Sequence, residues 1–427
     1  MKTVGLITEY NPFHNGHLYH IEQAKKITGA THVIVVMSGD FVQRGAPAIM
    51  PKHLRAEMAL RCGASAVFEL PVCYATGSAE RFAMGAVSLL DSLGVVDAIC
   101  FGSECNNLED MQKIAEILAS EPKEYKTVLK EGLRAGHSFP TARQEAISRL
   151  MKREDCSVIL GDPNNILGIE YLKALLMFNS SIVPYTIKRR ESNYHDDTLH
   201  KTFSSATAIR NLLAYSGSAM HIEHPLGLDA MEFGSILGEL EYQVPKSCLE
   251  LLKDNYHLHY PVYQDDFSLL LKYRLLSKST RGLCKYMDVS EELARRIKKN
   301  QNYFLSYTQF CEQLKTKELT YTRINRALLH ILLGIKESDY KMYQKENMHY
   351  YAHLLGFRKD SQKILTAIHK KSTLPLLTKL TNTDEIASTG LHMLKRDIFA
   401  ADLYESVVTE RYKTTFENEY TKQVIRV

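Results

Sequence analysis

The segment Thr31–Met37 (Thr-His-Val-Ile-Val-Val-Met) is almost wholly apolar over the length of a strand and lies between stretches with helical spacing. A β-branched run without polar alternation reads as a parallel strand covered on both faces. It calls for a layered sheet with helices on each side, and the neighbouring sequence supplies them. Lys2 to Thr8 is a short β-branched run, and Gly16 to Thr28 carries Leu18, Ile21, Ala24 and Ile27 at helical spacing before Gly29. Helix Lys52–Cys62, strand Ala66–Leu70, helix Ser78–Leu93, strand Ala98–Phe101, helix Pro163–Leu176 and strand Ser181–Ile187 continue the alternation. The expected fold class is α/β, a Rossmann-like doubly wound parallel sheet with ligands at the carboxyl ends of its strands.

From about Gly234 the pattern changes. Phe267–Leu276, Glu291–Lys299, Tyr303–Lys315 and Thr322–Ile335 have helical spacing and little strand character, which predicts a C-terminal, mainly helical domain. At 427 residues the chain exceeds one ordinary core. The expected division is 1–215 for an ATP-binding catalytic domain and 230–427 for the helical domain, with a soft boundary near Ala214–Gly234. Residues 1–229 carry a net charge of −2 and residues 230–427 one of +6. A mildly basic half beside a neutral one is compatible with an anionic macromolecular substrate. No apolar run approaches the ~18 residues of a membrane span, and the N-terminus lacks the form of a secretory signal, so a cytoplasmic location without a membrane partner is expected. The eight cysteines include no Cys-x-x-Cys pair and read as reduced thiols.

The strongest chemical signal follows the first strand: Thr8-Glu9-Tyr10-Asn11-Pro12-Phe13-His14-Asn15-Gly16-His17, then a helix. A glycine at a helix start lets a phosphate chain approach the backbone, where free N–H groups and the helix dipole favour negative charge. Two imidazoles beside the α-phosphate can donate to its oxygens as charge builds during displacement. The second signal is Phe203-Ser204-Ser205-Ala206-Thr207-Ala208-Ile209-Arg210. Ser204 or Ser205 can cap the next helix, leaving donors for the β- and γ-phosphates, and Arg210 supplies a guanidinium. Gly102, ending a strand, leaves room for adenine or ribose. Asn164 or Asn165 can bond adenine or cap a helix. Arg189 can hold phosphate, and Asp40, in the loop after the second strand, can orient the attacking group or accept a proton. Gln43 and Arg44 can meet acetate or RNA.

These two motifs resemble those of the histidine–glycine–histidine nucleotidyltransferase superfamily, whose second signature reads approximately Ile-Ser-Ser-Thr-x-Ile-Arg; here Phe203 and Ala206 depart from it. A closer resemblance spans nearly the whole chain. Thr8–His17, Ser38–Gly45, Phe101–Glu104, Pro163–Gly168, Lys188-Arg189 with Tyr194-His195-Asp196, and Thr322–Arg326 are similar to segments of the bacterial tRNA(Met) cytidine acetate ligase family. The resemblance implies that ATP and acetate form acetyl-adenylate, with Mg²⁺ bridging the phosphates and no protein metal site. Acetyl then passes to N4 of the wobble cytidine in elongator tRNA(Met). His14, His17, Asp40, Ser205 and Arg210 are the expected catalytic residues. The expected ATP contacts are Ile7, Thr8, Glu9, Tyr10, Asn11, Pro12, Phe13, His14, Asn15, Gly16, His17, Leu18, Tyr19 and His20, with Gly102, Asn164, Asn165, Arg189 and Arg190. Arg295, Arg296, Lys298, Lys299, Arg323 and Arg326 are the expected RNA contacts. Two rivals stand beside this: a nucleotidyltransferase acting on a small phosphorylated acceptor, and a non-catalytic ATP-sensing RNA-binding protein.

Overall fold

The apolar run becomes the middle of the structure. In the computed structural model, which describes residues 1–153, 159–189, 205–218, 234, 236–316, 318–346, 348–381 and 383–427, it is strand β2 (His32–Ser38), preceded by β1 (Thr3–Thr8). Two short strands, β3 (Phe41–Val42) and β4 (Ala46–Pro47), form a separate antiparallel hairpin. The remaining strands are β5 (Ala66–Leu70), β6 (Ala98–Ser103), β7 (Val183–Lys188), β8 (Ala352–Phe357), β9 (Leu376–Leu377) and β10 (Ile425–Arg426). They build one sheet in the order β10-β8-β5-β2-β1-β6-β7, with β9 beside β8.

The pleat explains why β2 carries no polar alternation. Ile34 and Val36 enter one core while Val33, Val35 and Met37 enter the other, all fully buried. Each such side chain contributes about 1.5–3 kcal/mol by leaving water. Helices Ala79–Ser92 and Pro163–Met177 cover the first face, and helices Asn15–Thr28, Lys52–Arg61 and Lys246–Asn255 the second. From β1 the chain winds outward through β2 to β5, then returns to place β6 and β7 on the other side. Strand order therefore reverses between β1 and β6, and the crevice at their carboxyl ends is where such a sheet takes a ligand.

The sheet is mixed, a departure from the wholly parallel one expected. β8 runs antiparallel to β5, with a register shift at Val67/Phe68, and comes from the half that reads as helical. It has only six residues, includes His353 and Gly356, and follows a long helical excursion, so its pattern is indistinct. Gly356 is needed there: a Cβ would meet Leu60 Cδ1 at 2.7 Å. Helices Ser268–Leu276, Glu291–Asn300, Tyr307–Leu314, Tyr321–Leu333 and the 25-residue Ser388–Tyr412 make up most of the remainder. Most of the expected boundary segment, 219–233, lies outside the described residues. Among the described residues no helix is long and apolar enough to cross a membrane.

Candidate functional site

The turn after β1 builds the first wall. Tyr10 sits at φ 47°, Asn11 Oδ1 accepts from Ile49 N at 2.8 Å, and His14 is extended as the N-cap of helix Asn15–Thr28. His14 Nδ1 accepts from Gly16 N at 3.0 Å, and His17 Nδ1 lies 3.3 Å from His14 N as its acceptor. The rings stack at 3.8 Å and 28°. A Cβ on residue 16 would fall 2.8 Å from His14 Cε1, so this close folding-back requires glycine. The bonding pattern also assigns the tautomers. With Nδ1 accepting on both rings, a neutral imidazole carries its proton on Nε2. Burial, then the positive charges of Arg189 and Arg210, push His14 down to about 3, and burial with His14, His20 and Arg189 pushes His17 down. The pair is thus neutral, with two N–H groups left to donate.

Both histidines line a cavity of about 320 Å³ at the carboxyl ends of β1 and β6. Ser205, Ala206, Thr207 and Arg210 line it from the far motif, and Lys188 and Arg189 from the end of β7. Ser205 Oγ accepts from Ala208 N at 3.0 Å and caps helix Ala206–Ser218. Arg210 ties the motifs together, donating through Nη1 to Asn11 O at 2.8 Å and through Nη2 to Thr207 Oγ1 at 3.0 Å. Two segments separated by 199 positions thereby form one cationic, donor-rich surface suited to a triphosphate.

Gly102, Asn164, Tyr19 and His20 line the same cavity, as do Ile7, Thr8, Glu9, Tyr10 and Asn11. His20 is held by Cys100 O at 3.1 Å. A Cβ on residue 102 would meet the Arg189 side chain at 3.3 Å, so the glycine leaves space beside that arginine. Glu104 clamps the loop: its carboxylate accepts from Asn164 Nδ2 at 2.5 Å and Asn165 N at 3.1 Å, while Asn165 Oδ1 accepts from Glu104 N at 2.9 Å.

Several expected contacts stand behind the wall instead. Asn165 is fully buried in the Glu104 clamp. Pro12 and Phe13 are buried, Phe13 against Tyr10 and His17. Asn15 faces outward to the carbonyls of Tyr242 and Gln243, and Leu18 packs on the second core. Arg190 and Ser204 lie outside the described residues.

Asp40 needs the largest correction. It is buried and absent from the cavity wall; its Oδ1 accepts from Lys52 N at 2.6 Å at the start of helix Lys52–Arg61. Burial pushes its carboxyl up to about 7 against the pull of Lys52 and Arg55. A loop carboxylate bonded to a helix N-terminus supports the loop there, behind the cavity wall. Two residues that sequence reasoning missed share this support. Arg55, fully buried, donates to the carbonyls of Met50, Glu9, Ser38 and Gly39 and so pins the ends of β1 and β2 together. Lys52 joins buried Glu69 and Glu419.

The hairpin β3–β4 closes the mouth, with Val42, Gln43, Arg44, Ala46 and Pro47 on the wall. Gln43 N donates to Glu9 Oε1 at 2.9 Å, and Asn325 Nδ2 donates to Arg44 O at 3.0 Å. Gly45, at φ 79°, abuts the Arg326 backbone so closely that a Cβ would come within 2.4 Å. Helix Tyr321–Leu333 thus fixes one rim of the cavity. Of the expected RNA contacts, Arg295, Lys299 and Arg323 are exposed, Arg295 pairing with Glu291 at 2.6 Å. Arg296 donates to Gln313 O at 3.1 Å, Lys298 to Leu275 O at 2.9 Å, and Arg326 pairs with Asp288 at 3.1 Å, so these three are engaged within the protein.

Comparison with known proteins places this geometry. The family model described as HIGH Nucleotidyl Transferase matches residues 1–419. The tRNA(Met) cytidine acetate ligase of Acetivibrio thermocellus is 39% identical over 428 residues, covering 100% of both chains. The protein of the same name from Caldanaerobacter subterraneus subsp. tengcongensis is 42% identical over 405 residues, covering 95% of each. Among solved structures, apo Thermotoga maritima TmcAL (form I) matches with a TM-score of 0.90 at 34% identity, covering 100% of both chains. The same protein bound with alpha-thio ATP (form II) gives 0.88 at 34% identity and the same coverage.

Proposed function

The chain belongs to the tRNA(Met) cytidine acetate ligase family of HIGH nucleotidyl transferases, and we propose that it acetylates N4 of the wobble cytidine in elongator tRNA(Met) through acetyl-adenylate, in the cytoplasm. The observation that carries this reading is the convergence of the His14/His17 pair with the Arg210 helix across one cavity. Acetate attacks the α-phosphorus of ATP and pyrophosphate leaves. The Nε2–H groups of His14 and His17 stabilise charge on the α-phosphoryl oxygens, while Arg210, Arg189 and the first turn of helix Ala206–Ser218 hold the departing phosphates. Mg²⁺ enters as part of the nucleotide substrate. Cytidine N4 then attacks the acetyl carbonyl and AMP departs.

The test is mass analysis of nucleosides from tRNA(Met) incubated with the protein, MgATP and labelled acetate. Acetate-dependent ATP–pyrophosphate exchange is measured in parallel without tRNA. Labelled N4-acetylcytidine and exchange are the expected results; a stable adenylylated acceptor in place of AMP would refute the reading.

The tRNA is held partly by the exposed cations of the helical half. The motivation is the +6 charge of residues 230–427 and the contact of helix Tyr321–Leu333 with the cavity rim. Replacing Lys299 and Arg323 by Ala is expected to weaken tRNA binding and reduce its salt slope by about one unit per lost phosphate contact, with ATP affinity unchanged. An unchanged slope would assign that charge to ordinary solvated surface.

A further inference from the structure

The cavity wall presents cations at Lys188, Arg189 and Arg210, as two anionic substrates require, yet it also carries one carboxylate among the described residues, Glu9. A carboxylate facing ATP and acetate opposes the binding of both unless another ligand answers it. Among the described residues it has one hydrogen-bond donor. Glu9 Oε1 accepts one bond, from Gln43 N at 2.9 Å, and Glu9 forms no ion pair with the described residues. The adjacent buried cation, Arg55, donates through Nη1 to the Glu9 carbonyl, at 2.6 Å, and reaches the carboxylate through its charge and not through a hydrogen bond. Position and orientation are nonetheless fixed at both ends, by Arg55 behind the backbone and by the hairpin at the side chain. A substrate N–H entering the cavity is a donor that this carboxylate can take.

Resting on the acetyl-transfer reading above, we propose that Glu9 is the base that takes the proton from the cytidine N4 amine during transfer. ATP and acetate arrive as anions, and the exocyclic amine brings N–H groups to the reacting carbonyl itself. Its lone pair is delocalised into the ring, so it is a poor nucleophile until a proton can leave. The step balances as follows. The N4 lone pair forms a bond to the acetyl carbonyl carbon, and the C–O bond to the AMP phosphate breaks with its electron pair going to AMP. One N4 proton passes to the Glu9 carboxylate and later to solvent. The site fits this sequence: Glu9 lies one residue beyond β1, in the turn that leads on to His14 and His17, and lines the cavity with them. It stands next to the hairpin that the helical half anchors.

Glu9→Gln tests this without disturbing the loop, because the amide oxygen can still accept from Gln43 N. Three rates are compared with those of the wild type: acetate-dependent ATP–pyrophosphate exchange, single-turnover acetyl transfer to tRNA(Met), and capture of bound acetyl-adenylate by hydroxylamine, which attacks acyl-adenylates without a protein base. Loss of a positioned base is expected to slow transfer to tRNA by about 10²–10⁴-fold. Because Glu9 also lines the nucleotide cavity, exchange reports any loss of ATP binding separately; transfer should fall further than exchange, and hydroxylamine capture should track exchange. Transfer within about threefold of wild type would overturn the assignment. So would an exchange rate that falls as far as transfer does, since Glu9 would then serve the nucleotide or its Mg²⁺. A wild-type protein that exchanges pyrophosphate yet leaves cytidine unmodified would overturn the functional reading itself, and this assignment with it.

Discussion

His14→Ala and His17→Ala are each expected to slow acetate-dependent pyrophosphate exchange by a hundred- to thousandfold. That is the loss of one preorganised transition-state donor, about 3–4 kcal/mol. The donors are preorganised because each imidazole is locked on its Nδ1 side by a backbone N–H and the rings stack at 3.8 Å. Alanine at 14 also removes the helix N-cap, so its effect mixes catalysis with local stability. His14→Asn separates the two: asparagine caps a helix well but does not reach the phosphate as the imidazole does. It should keep the thermal midpoint near that of wild type while remaining about as slow as His14→Ala. The pH dependence carries the same signature. Since His14 is pushed down to about 3, chiefly by burial, it is neutral throughout the range above that. The kcat/KM for ATP, which reports the free enzyme, should show no step from His14 protonation between pH 6 and 8. Wild-type exchange in both alanine variants would remove the pair from the reaction.

The two motifs were legible in the sequence because their signals are local. A strand, a glycine between histidines and a helix follow one another without interruption from Thr3 to Thr28, and Ser205 through Arg210 is one helix start. The supports were not legible, because they depend on distant partners. Lys52 and Arg55 look like solvated charges on an amphipathic helix, yet both are buried, one by carboxylates from β5 and the C-terminal tail, the other by four carbonyls at the strand ends. Asp40 drew attention as a carboxylate in a loop after a strand, but the helix that begins at Lys52 claims it. Charge runs suffered likewise: helical spacing identifies which residues share a face, but not that Arg296 and Lys298 bend back to carbonyls of neighbouring segments. β8 escaped because a six-residue strand with a histidine and a glycine carries too little pattern to outweigh its helical surroundings.

Lys52→Met is expected to cost about 3–5 kcal/mol of stability, because it removes the cation shared by two buried carboxylates and leaves Glu69 with His353 alone among the described residues. Lys52 Nζ lies 2.8 Å from Glu69 Oε2 and 2.7 Å from Glu419 Oε2, and both glutamates are buried. Burial works against the lysine charge, but Glu419, Glu69 and Asp40 hold its pKa well above the ordinary range. Burial likewise opposes the charge on Glu69, yet Lys52 and His353 bring it down to about 2. In the wild type this depressed carboxyl contributes stability that is present above its ordinary value of 4.5 and lost as pH falls towards 2. Without Lys52 the sign reverses. Glu419 keeps Lys422 at 3.6 Å and His53 at 3.3 Å, but Glu69 keeps only His353, so burial raises the Glu69 carboxyl and its protonation on acidification relieves the variant. The gap between variant and wild type should therefore narrow from pH 8 to pH 5. Calorimetric melting of Lys52→Met, and of the triple variant in which Glu69→Gln and Glu419→Gln are added, checks the cause. Removing the orphaned charges should recover most of the loss, whereas a packing defect would persist in the triple variant. Because Asp40 is bonded to the Lys52 backbone and leads into the hairpin that holds Glu9, the single variant should also lose exchange activity at temperatures where it remains folded. A Lys52→Met protein that melts with wild type at both pH values would show that water, rather than burial, sets the energetics of this node.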